Sequence, residues 1–172
     1  MSTTQQGVAA VPVQGAITAT YNLATTNDLA PKLGAVRYVE NSSGQITKYR
    51  FVKNTSGSTI AANIAVVITA DATDPNHVSI SATSSLPTRY RGVTATAIAA
   101  NYGGWVAYQG VATITADAST AVTKNQHLIP GAATAGTFQS SNTAATASLG
   151  SALGASNIGV GTTGSALLTL PD

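Results

Sequence analysis

The chain has 172 residues and a mass of 17.1 kDa, a size that suits one domain or one domain with extended arms. Ala, Thr and Ser occur 31, 26 and 16 times, charged residues make up only 8% of the chain, and the formal net charge is +2. This composition excludes an ordinary disordered chain and a coiled coil, and the absence of cysteine excludes disulfides and cysteine-based zinc sites.

The first 34 residues are small and polar, with turn residues at Gly7, Pro12 and Gly15. We predict an extended N-terminal arm over residues 1–34, ordered only where it packs on another surface. No cation precedes Lys32, so this segment lacks the positively charged region of a secretory signal. No apolar run approaches the length of a membrane-spanning helix. We therefore expect a protein made in the cytosol, with no membrane partner.

Residues 35–53 have the pattern of a β-hairpin, because β-branched and aromatic residues flank the turn Asn41-Ser42-Ser43-Gly44. Four cations lie in this segment, at Arg37, Lys48, Arg50 and Lys53. Lys48 and Arg50 are two residues apart and therefore share one face of a strand. We predict that the four cations form one contact surface for an acidic partner. The alternative interpretation is a solvated strand face.

Short strands separated by turns continue as far as Pro130. Apolar or alternating runs predict strands at Ile64–Ile68, Val78–Ser81, Arg91–Val93 and Trp105–Ile114. Short strands at this spacing are typical of an all-β sandwich or barrel. The predicted fold class is all-β, a small sandwich or barrel of short antiparallel strands with extended N- and C-terminal arms, and its β-domain spans residues 35–130. We expect its core to include Val66, Val67, Ile68, Trp105, Val106, Val111 and Ile114.

Residues 131–172 form a low-complexity C-terminal segment, which buries little apolar area and is predicted to be ordered mainly by contact. A last strand is predicted at Ser165–Leu170. The run Gly159-Val160-Gly161-Thr162-Thr163-Gly164 has the spacing of a dinucleotide-binding loop. Such a loop must be followed by a helix and an acidic residue, and only eight residues remain after it. We predict a turn between two strands, and no cofactor.

Residues able to carry acid–base or metal chemistry are few, with six carboxylates and two histidines in the chain. Asp71, Asp74 and His77 have a spacing that could hold a cation. The loop lacks the acidic density of calcium sites, so capping of a turn is the favoured interpretation. An enzyme would need Asp71, Asp74 and His127 to converge in one cleft. We predict no catalytic residues, no metal site and no enzymatic activity.

A series of turn and strand motifs runs from residue 50 to residue 140. They are Val52–Ile60 with the turn Asn54-Thr55-Ser56-Gly57, Val66–Ile68, Arg91–Val93, Ala97–Asn101, Gly103–Val106, Gly110–Ala112, Lys124–Gly131 and Ala135–Thr137. In this order they resemble the β-rich head-decoration (capsid cement) proteins of tailed bacteriophages. Those proteins share an Asn-x-Ser-Gly turn, an apolar strand, a Gly-Val strand and a Gly-x-Val followed by a second Gly-Val. Asn125 stands where many of these proteins have Gly, and the pattern contains no catalytic residues.

The resemblance implies a structural virion protein that binds the outer surface of an assembled capsid and stabilises contacts between major capsid subunits. Its partner would be the major capsid protein, and its location the outer capsid surface after synthesis in the host cytoplasm. We expect a homo-oligomer, a dimer or trimer, because multivalent display raises effective affinity. No nucleic acid partner is expected, because few aromatic side chains are available for stacking on bases.

The alternative function is a receptor- or carbohydrate-binding surface module, such as a tail-fibre or adhesin domain. It needs an exposed aromatic platform, which Tyr90, Tyr102, Trp105 and Tyr108 could supply. An exposed Trp105 beside Tyr102 would favour this alternative, and a buried Trp105 would weaken it.

Overall fold

The computed structural model describes residues 16–23, 30–69, 73–81, 90–142, 149–152 and 157–170. Within these ranges the protein is all-β and has no helix, so the predicted fold class is confirmed. The strands are β1 (Tyr21–Asn22), β2 (Val36–Glu40), β3 (Ile46–Asn54), β4 (Ala65–Ile68), β5 (His77–Ile80), β6 (Tyr90–Thr94), β7 (Tyr102–Thr115), β8 (His127–Pro130), β9 (Phe138–Ser141), β10 (Gly150–Ala152) and β11 (Thr163–Thr169).

Five of these strands close into a small barrel. β3 pairs with β5, β5 with β4, β4 with β6 and β6 with β7, and β7 returns to β3. Four of the pairs are antiparallel. The fifth, β3 with β5, runs parallel through Lys53 opposite His77 and Asn54 opposite Val78. The prediction of antiparallel strands did not include this parallel pair, which completes the ring.

The interior of the barrel is a small apolar core. Its fully buried members are Val52, Val66, Val78 and Val106 from four of the strands, with Ile60 and Ile98 from the connections. Ile60 and Ile98 exchange backbone hydrogen bonds of 3.0 and 2.8 Å, which holds both side chains in place. Burying each aliphatic side chain contributes about 1.5–3 kcal/mol. The barrel is therefore stabilised from inside by side chains of four different strands.

A second core lies between the barrel and the C-terminal strands. β7 is 14 residues long, and its second half pairs with β11 from Gln109 opposite Thr169 to Thr115 opposite Thr163. β10, β8 and β9 continue the sheet from β11. The buried side chains of this second core include Ile114, Leu128, Phe138, Leu149 and Leu168. The predicted last strand is observed as β11, where pairing with β7 supplies the contact that the low-complexity segment needs.

Five of the seven predicted core residues are buried. They are Val66, Val67, Trp105, Val106 and Ile114. Ile68 and Val111 are only half-buried. Ile68 is the last residue of β4, and Val111 lies opposite the exposed Leu167 on the outer face of the β7–β11 pair.

Candidate protein-binding surface

The hairpin of β2 and β3 turns through residues 41–45. The Asn41 side chain organises the turn, because its Oδ1 accepts the backbone N–H of Ser43 at 2.9 Å and of Gln45 at 3.0 Å. Gly44 has a φ of +74°, a left-handed conformation that glycine adopts without strain. The turn is the one that the sequence predicted, and it fixes the register between the two strands.

That register places six side chains on one surface, which we call the hairpin face. Opposite pairs in β2 and β3 point to the same side of the sheet, and here they are Val36 with Arg50, Tyr38 with Lys48, and Glu40 with Ile46. Val36, Tyr38 and Ile46 are 41%, 66% and 56% exposed. Five large apolar side chains are exposed in the described ranges, and three of these five lie on the hairpin face.

The two cations of the hairpin face lie over aromatic rings. The Lys48 ammonium is 5.7 Å from the centroid of the Tyr38 ring, and the Arg50 guanidinium is 4.6 Å from that of Tyr108. These distances are within the range of cation–π attraction. The cations are thereby held beside apolar surface rather than extended into solvent.

The other two predicted cations, Arg37 and Lys53, lie on the opposite face. Arg37 is opposite Tyr49, and Lys53 is at an odd position of β3. The Arg37 guanidinium lies 5.3 Å from the centroid of the Trp105 ring. The structure therefore brings Lys48 and Arg50 together and separates Arg37 and Lys53 from them.

A further cation, Arg91, lies near Arg50. Its Nε donates a 2.9 Å hydrogen bond to the Pro75 carbonyl. Burial, and then the positive charge of Arg50, lower the pKa of Arg91. Arg91 is 41 residues from Arg50 in the chain, and no sequence signal predicted this proximity.

The aromatic platform required by the alternative function is mostly buried. Trp105, Tyr90 and Tyr108 are at most 2% exposed, and Tyr102 is half-buried. Trp105 packs edge-on against Phe51, with ring centroids 5.2 Å apart. Its indole Nε1 has no hydrogen-bond partner among the described residues. The exposed aromatic residue of the hairpin is Tyr38, which is not one of the four predicted platform residues.

The acidic residues and histidines of the described ranges do not converge. Asp74 caps its own turn, because its Oδ1 accepts the backbone N–H and the side-chain amide of Asn76 at 2.8 and 2.9 Å. His77 begins β5 and His127 begins β8. Asp71 lies outside the described residues. No group of three or more acidic or histidine side chains suited to a metal occurs in the part of the chain described.

Asp117 is fully buried and holds two loops together. Its Oδ1 accepts the backbone N–H and hydroxyl of Ser119 at 2.9 and 2.6 Å. Its Oδ2 accepts the N–H groups of Ala133 and Thr134 and the hydroxyl of Thr137. The hydrogen bond from the Ser119 hydroxyl is the main factor that holds the pKa of Asp117 well below its usual range, although burial opposes it. Both carboxylate oxygens accept hydrogen bonds, so the role of Asp117 is structural: it joins its own turn to the loop that contains Ala133 and Thr137.

One small cavity lies between the barrel and the segment before β1. Its volume is about 100 Å³, and it is lined by Ile17, Tyr49, Asn63, Val93, Thr94, Ala95, Ala107, Ala112 and Thr113. This lining contains no acid, histidine or cation, and its one titratable side chain is Tyr49, whose pKa is raised by burial. Among the described residues, no helix is both long enough and apolar enough to cross a membrane.

Comparison with known proteins adds no assignment to this geometry. No family model matches the chain, and no curated protein matches it.

Proposed function

We propose that this protein is a structural virion component that binds the outer surface of an assembled phage capsid and stabilises contacts between major capsid subunits. The observation that carries the proposal is the hairpin face, where Val36, Tyr38 and Ile46 are exposed beside Lys48 and Arg50. The resemblance of residues 50–140 to capsid cement proteins supplies the kind of partner. The outer capsid surface, reached after synthesis in the host cytoplasm, is the location that follows from this role.

The composition of the hairpin face suits a protein partner. Protein interfaces are enriched in Tyr and Arg, and their strongest contacts are aromatic anchors surrounded by a rim that excludes water. Tyr38 has the exposure of such an anchor, and the cations beside it favour a partner surface that carries carboxylates. An acidic surface on the major capsid protein is therefore the expected counterpart.

A stabilising role follows from selective binding. A protein that binds the assembled lattice, and not the separate subunits, shifts the equilibrium toward the lattice by mass action. Such a role requires surface contacts and no chemistry, which agrees with the few ionisable side chains of the chain. We accordingly propose that the protein has no enzymatic activity.

Co-sedimentation with capsids tests this proposal. Purified protein is mixed with undecorated expanded capsids and, in parallel, with unexpanded shells, and bound protein is measured in the pellet. We expect saturable binding to expanded capsids and weaker binding to unexpanded shells. Absence of binding to both would contradict the proposal.

Matched variants test the surface. Lys48→Glu with Arg50→Glu should weaken binding at least about tenfold, since each close charge reversal at an interface costs on the order of a kcal/mol or more. Lys32→Glu with Lys124→Glu makes the same charge change at two exposed positions outside the hairpin face and should bind like the wild type. Equal effects of the two pairs would show that only net charge matters.

The receptor- or carbohydrate-binding alternative has less support. Of its four platform residues, three are buried and one is half-buried. Tyr38 remains as an exposed ring on which a sugar could stack. Binding to a glycan array that Tyr38→Ala abolishes, without binding to capsids, would favour this alternative.

A further inference from the structure

In the part of the chain that the structure describes, no strand pairs with the outer edge of β2. β3 is the one strand that pairs with β2 among the described residues. Phe51 N–H donates to the Ala35 carbonyl and Asn41 N–H donates to the Gln45 carbonyl, both at 2.9 Å, so the odd-numbered residues of β2 bond toward β3. Antiparallel ladders alternate, so the N–H and C=O groups of Val36, Tyr38 and Glu40 point away from β3.

We propose that this edge pairs with the same edge of a second copy of the chain, antiparallel, about a two-fold axis at Tyr38. Tyr38 then lies opposite Tyr38 of the second copy, and Val36 opposite Glu40 of the second copy. All three outward-pointing residues fall into hydrogen-bonded positions on both copies. The register therefore satisfies the N–H and C=O of Val36, Tyr38 and Glu40 at once.

Charge complementarity supports a second copy as the occupant. Glu40 is the only glutamate of the chain and the only acidic residue between positions 30 and 69. In this register one row across the joined sheet runs from Arg50 through Val36 to Glu40 of the second copy. The backbone of Arg50 and the backbone of Glu40 in the second copy are two strand spacings apart, or roughly 10 Å. Two long side chains can bridge this distance. The two-fold axis repeats this attraction on the other side.

The composition of β2 also favours pairing. Exposed edge strands are commonly protected by proline, lysine or a bulge. β2 has the sequence Val-Arg-Tyr-Val-Glu, with no proline or lysine, and its register with β3 is regular. The pairing would cover part of the exposed Val36 and Tyr38 side chains. It would also join two hairpin faces into one surface with four cations.

A single cysteine tests the register directly, because the chain contains none of its own. Residues opposite each other in a hydrogen-bonded position have Cα atoms about 5.5 Å apart, which a disulfide can span. Tyr38→Cys should therefore give a covalent dimer under mild oxidation. Ile46→Cys is also exposed on the hairpin face, but its copy would lie three strand spacings (~14 Å) away across the sheet and four residues (~13 Å) away along it, so it should stay uncrosslinked.

Sedimentation velocity of the full chain over a wide concentration range tests the dimer without a crosslink. We expect a monomer–dimer equilibrium in the wild type. Glu40→Arg should weaken the dimer about tenfold or more, and Glu40→Arg combined with Arg50→Glu should restore it. Circular dichroism of each variant checks that its overall β-structure is retained.

Three results would overturn the proposal. They are a wild type that remains monomeric, a trimer, which edge pairing about a two-fold axis cannot build, and equal crosslinking of Tyr38→Cys and Ile46→Cys. None of these readouts involves capsids, so the inference and the proposed function can fail independently.

Discussion

The guanidinium of Arg37 lies over the indole of Trp105, 5.3 Å from the ring centroid, on the opposite side of the sheet from Lys48 and Arg50. Phe51 packs against the same indole edge-on, and Tyr21 packs against Phe51 with centroids 5.7 Å apart. Arg37 is thus part of the cover of an aromatic cluster. The cations of the hairpin therefore divide between its two faces, with Lys48 and Arg50 on the hairpin face and Arg37 over Trp105 on the other.

Replacing Arg37 should affect stability and leave capsid binding intact. Arg37→Ala removes the cation–π contact and the packing of the side-chain stem, at a cost of about 1–2 kcal/mol in the free energy of unfolding. Trp105 is the only tryptophan, so its fluorescence reports both the unfolding and any exposure of the indole. Lys53→Ala, on the same face, is the control and should change stability little. If Arg37→Ala weakens capsid binding as much as the Lys48/Arg50 reversal does, the assignment of different roles to Arg37 and to the Lys48/Arg50 pair is wrong.

Capsid association should depend on salt through the hairpin face. Under the proposed function, Lys48 and Arg50 steer the protein toward an acidic surface, and added salt screens that attraction. We expect the association rate of the wild type to fall with salt, and the rate of Lys48→Gln with Arg50→Gln to fall less steeply. Surface plasmon resonance on immobilised capsids measures both slopes. A double variant with the wild-type slope would assign the salt dependence to other charges.

Gly110 allows β3 and β7 to approach closely. A Cβ at this position would lie 2.3 Å from the Ile46 carbonyl oxygen and 2.8 Å from the Thr47 Cα, and φ is +93°. Gly161 also has a positive φ, +66°, but has nothing within 4 Å of such a Cβ. Both alanine variants incur roughly 1–2 kcal/mol of backbone strain, and Gly110→Ala adds about 1–3 kcal/mol of steric conflict.

Thermal unfolding measures that difference. Gly110→Ala should melt several degrees lower than Gly161→Ala, because a kcal/mol shifts the midpoint by roughly 2–4 °C in a chain of this size. Equal melting temperatures would mean that β3 and β7 can separate at this point without cost.

Acid should destabilise the protein through Asp117. The pKa of Asp117 in the folded protein is lowered, chiefly by the hydrogen bond from the Ser119 hydroxyl. In an unfolded chain the pKa of an aspartate is about 3.9. A lowered carboxyl pKa contributes stability that is present above the unfolded value and is lost as pH falls through the folded value. We expect the free energy of unfolding to decrease below about pH 4.

Asp117→Asn should remove much of this acid dependence. The amide leaves some of the loop donors without an acceptor, so at neutral pH the variant should lose about 1–3 kcal/mol. Urea titrations across the acid range give both quantities. Asp74→Asn is the control, because Asp74 bonds only within its own turn among the described residues. An Asp117→Asn variant that keeps the wild-type acid dependence would contradict the role of this carboxylate.

The hairpin and its turn could be predicted because their signals are local. Asn41 and Gly44 mark the turn, and the spacing of Lys48 and Arg50 places both on one face whatever the partner strand. The face of Arg37 depends on the register across the turn, which composition alone did not supply. For this reason the predicted set of four cations included Arg37. Lys53 is three residues from Arg50 in the same strand, so the alternation of side chains already placed it on the other side, and its inclusion overlooked that spacing.

Other features depend on contacts distant in sequence. The parallel pairing of β3 with β5 closes the barrel, and no local pattern distinguishes it from another antiparallel pair. In β7 the register shifts opposite Lys48 and Tyr49, so that Tyr108 is an extra residue. A strict alternation of side chains between the two faces is therefore interrupted in the predicted strand Trp105–Ile114. The sequence did not single out Asp117, because three of its five hydrogen-bond donors lie 16 to 20 residues away.

β7 belongs to the barrel and also pairs with β11, so this single strand contributes buried side chains to both cores. Neither core can lose β7 without exposing apolar side chains of the other. The described part of the chain should therefore melt in one cooperative transition, with amide protons of β7 exchanging with solvent among the slowest.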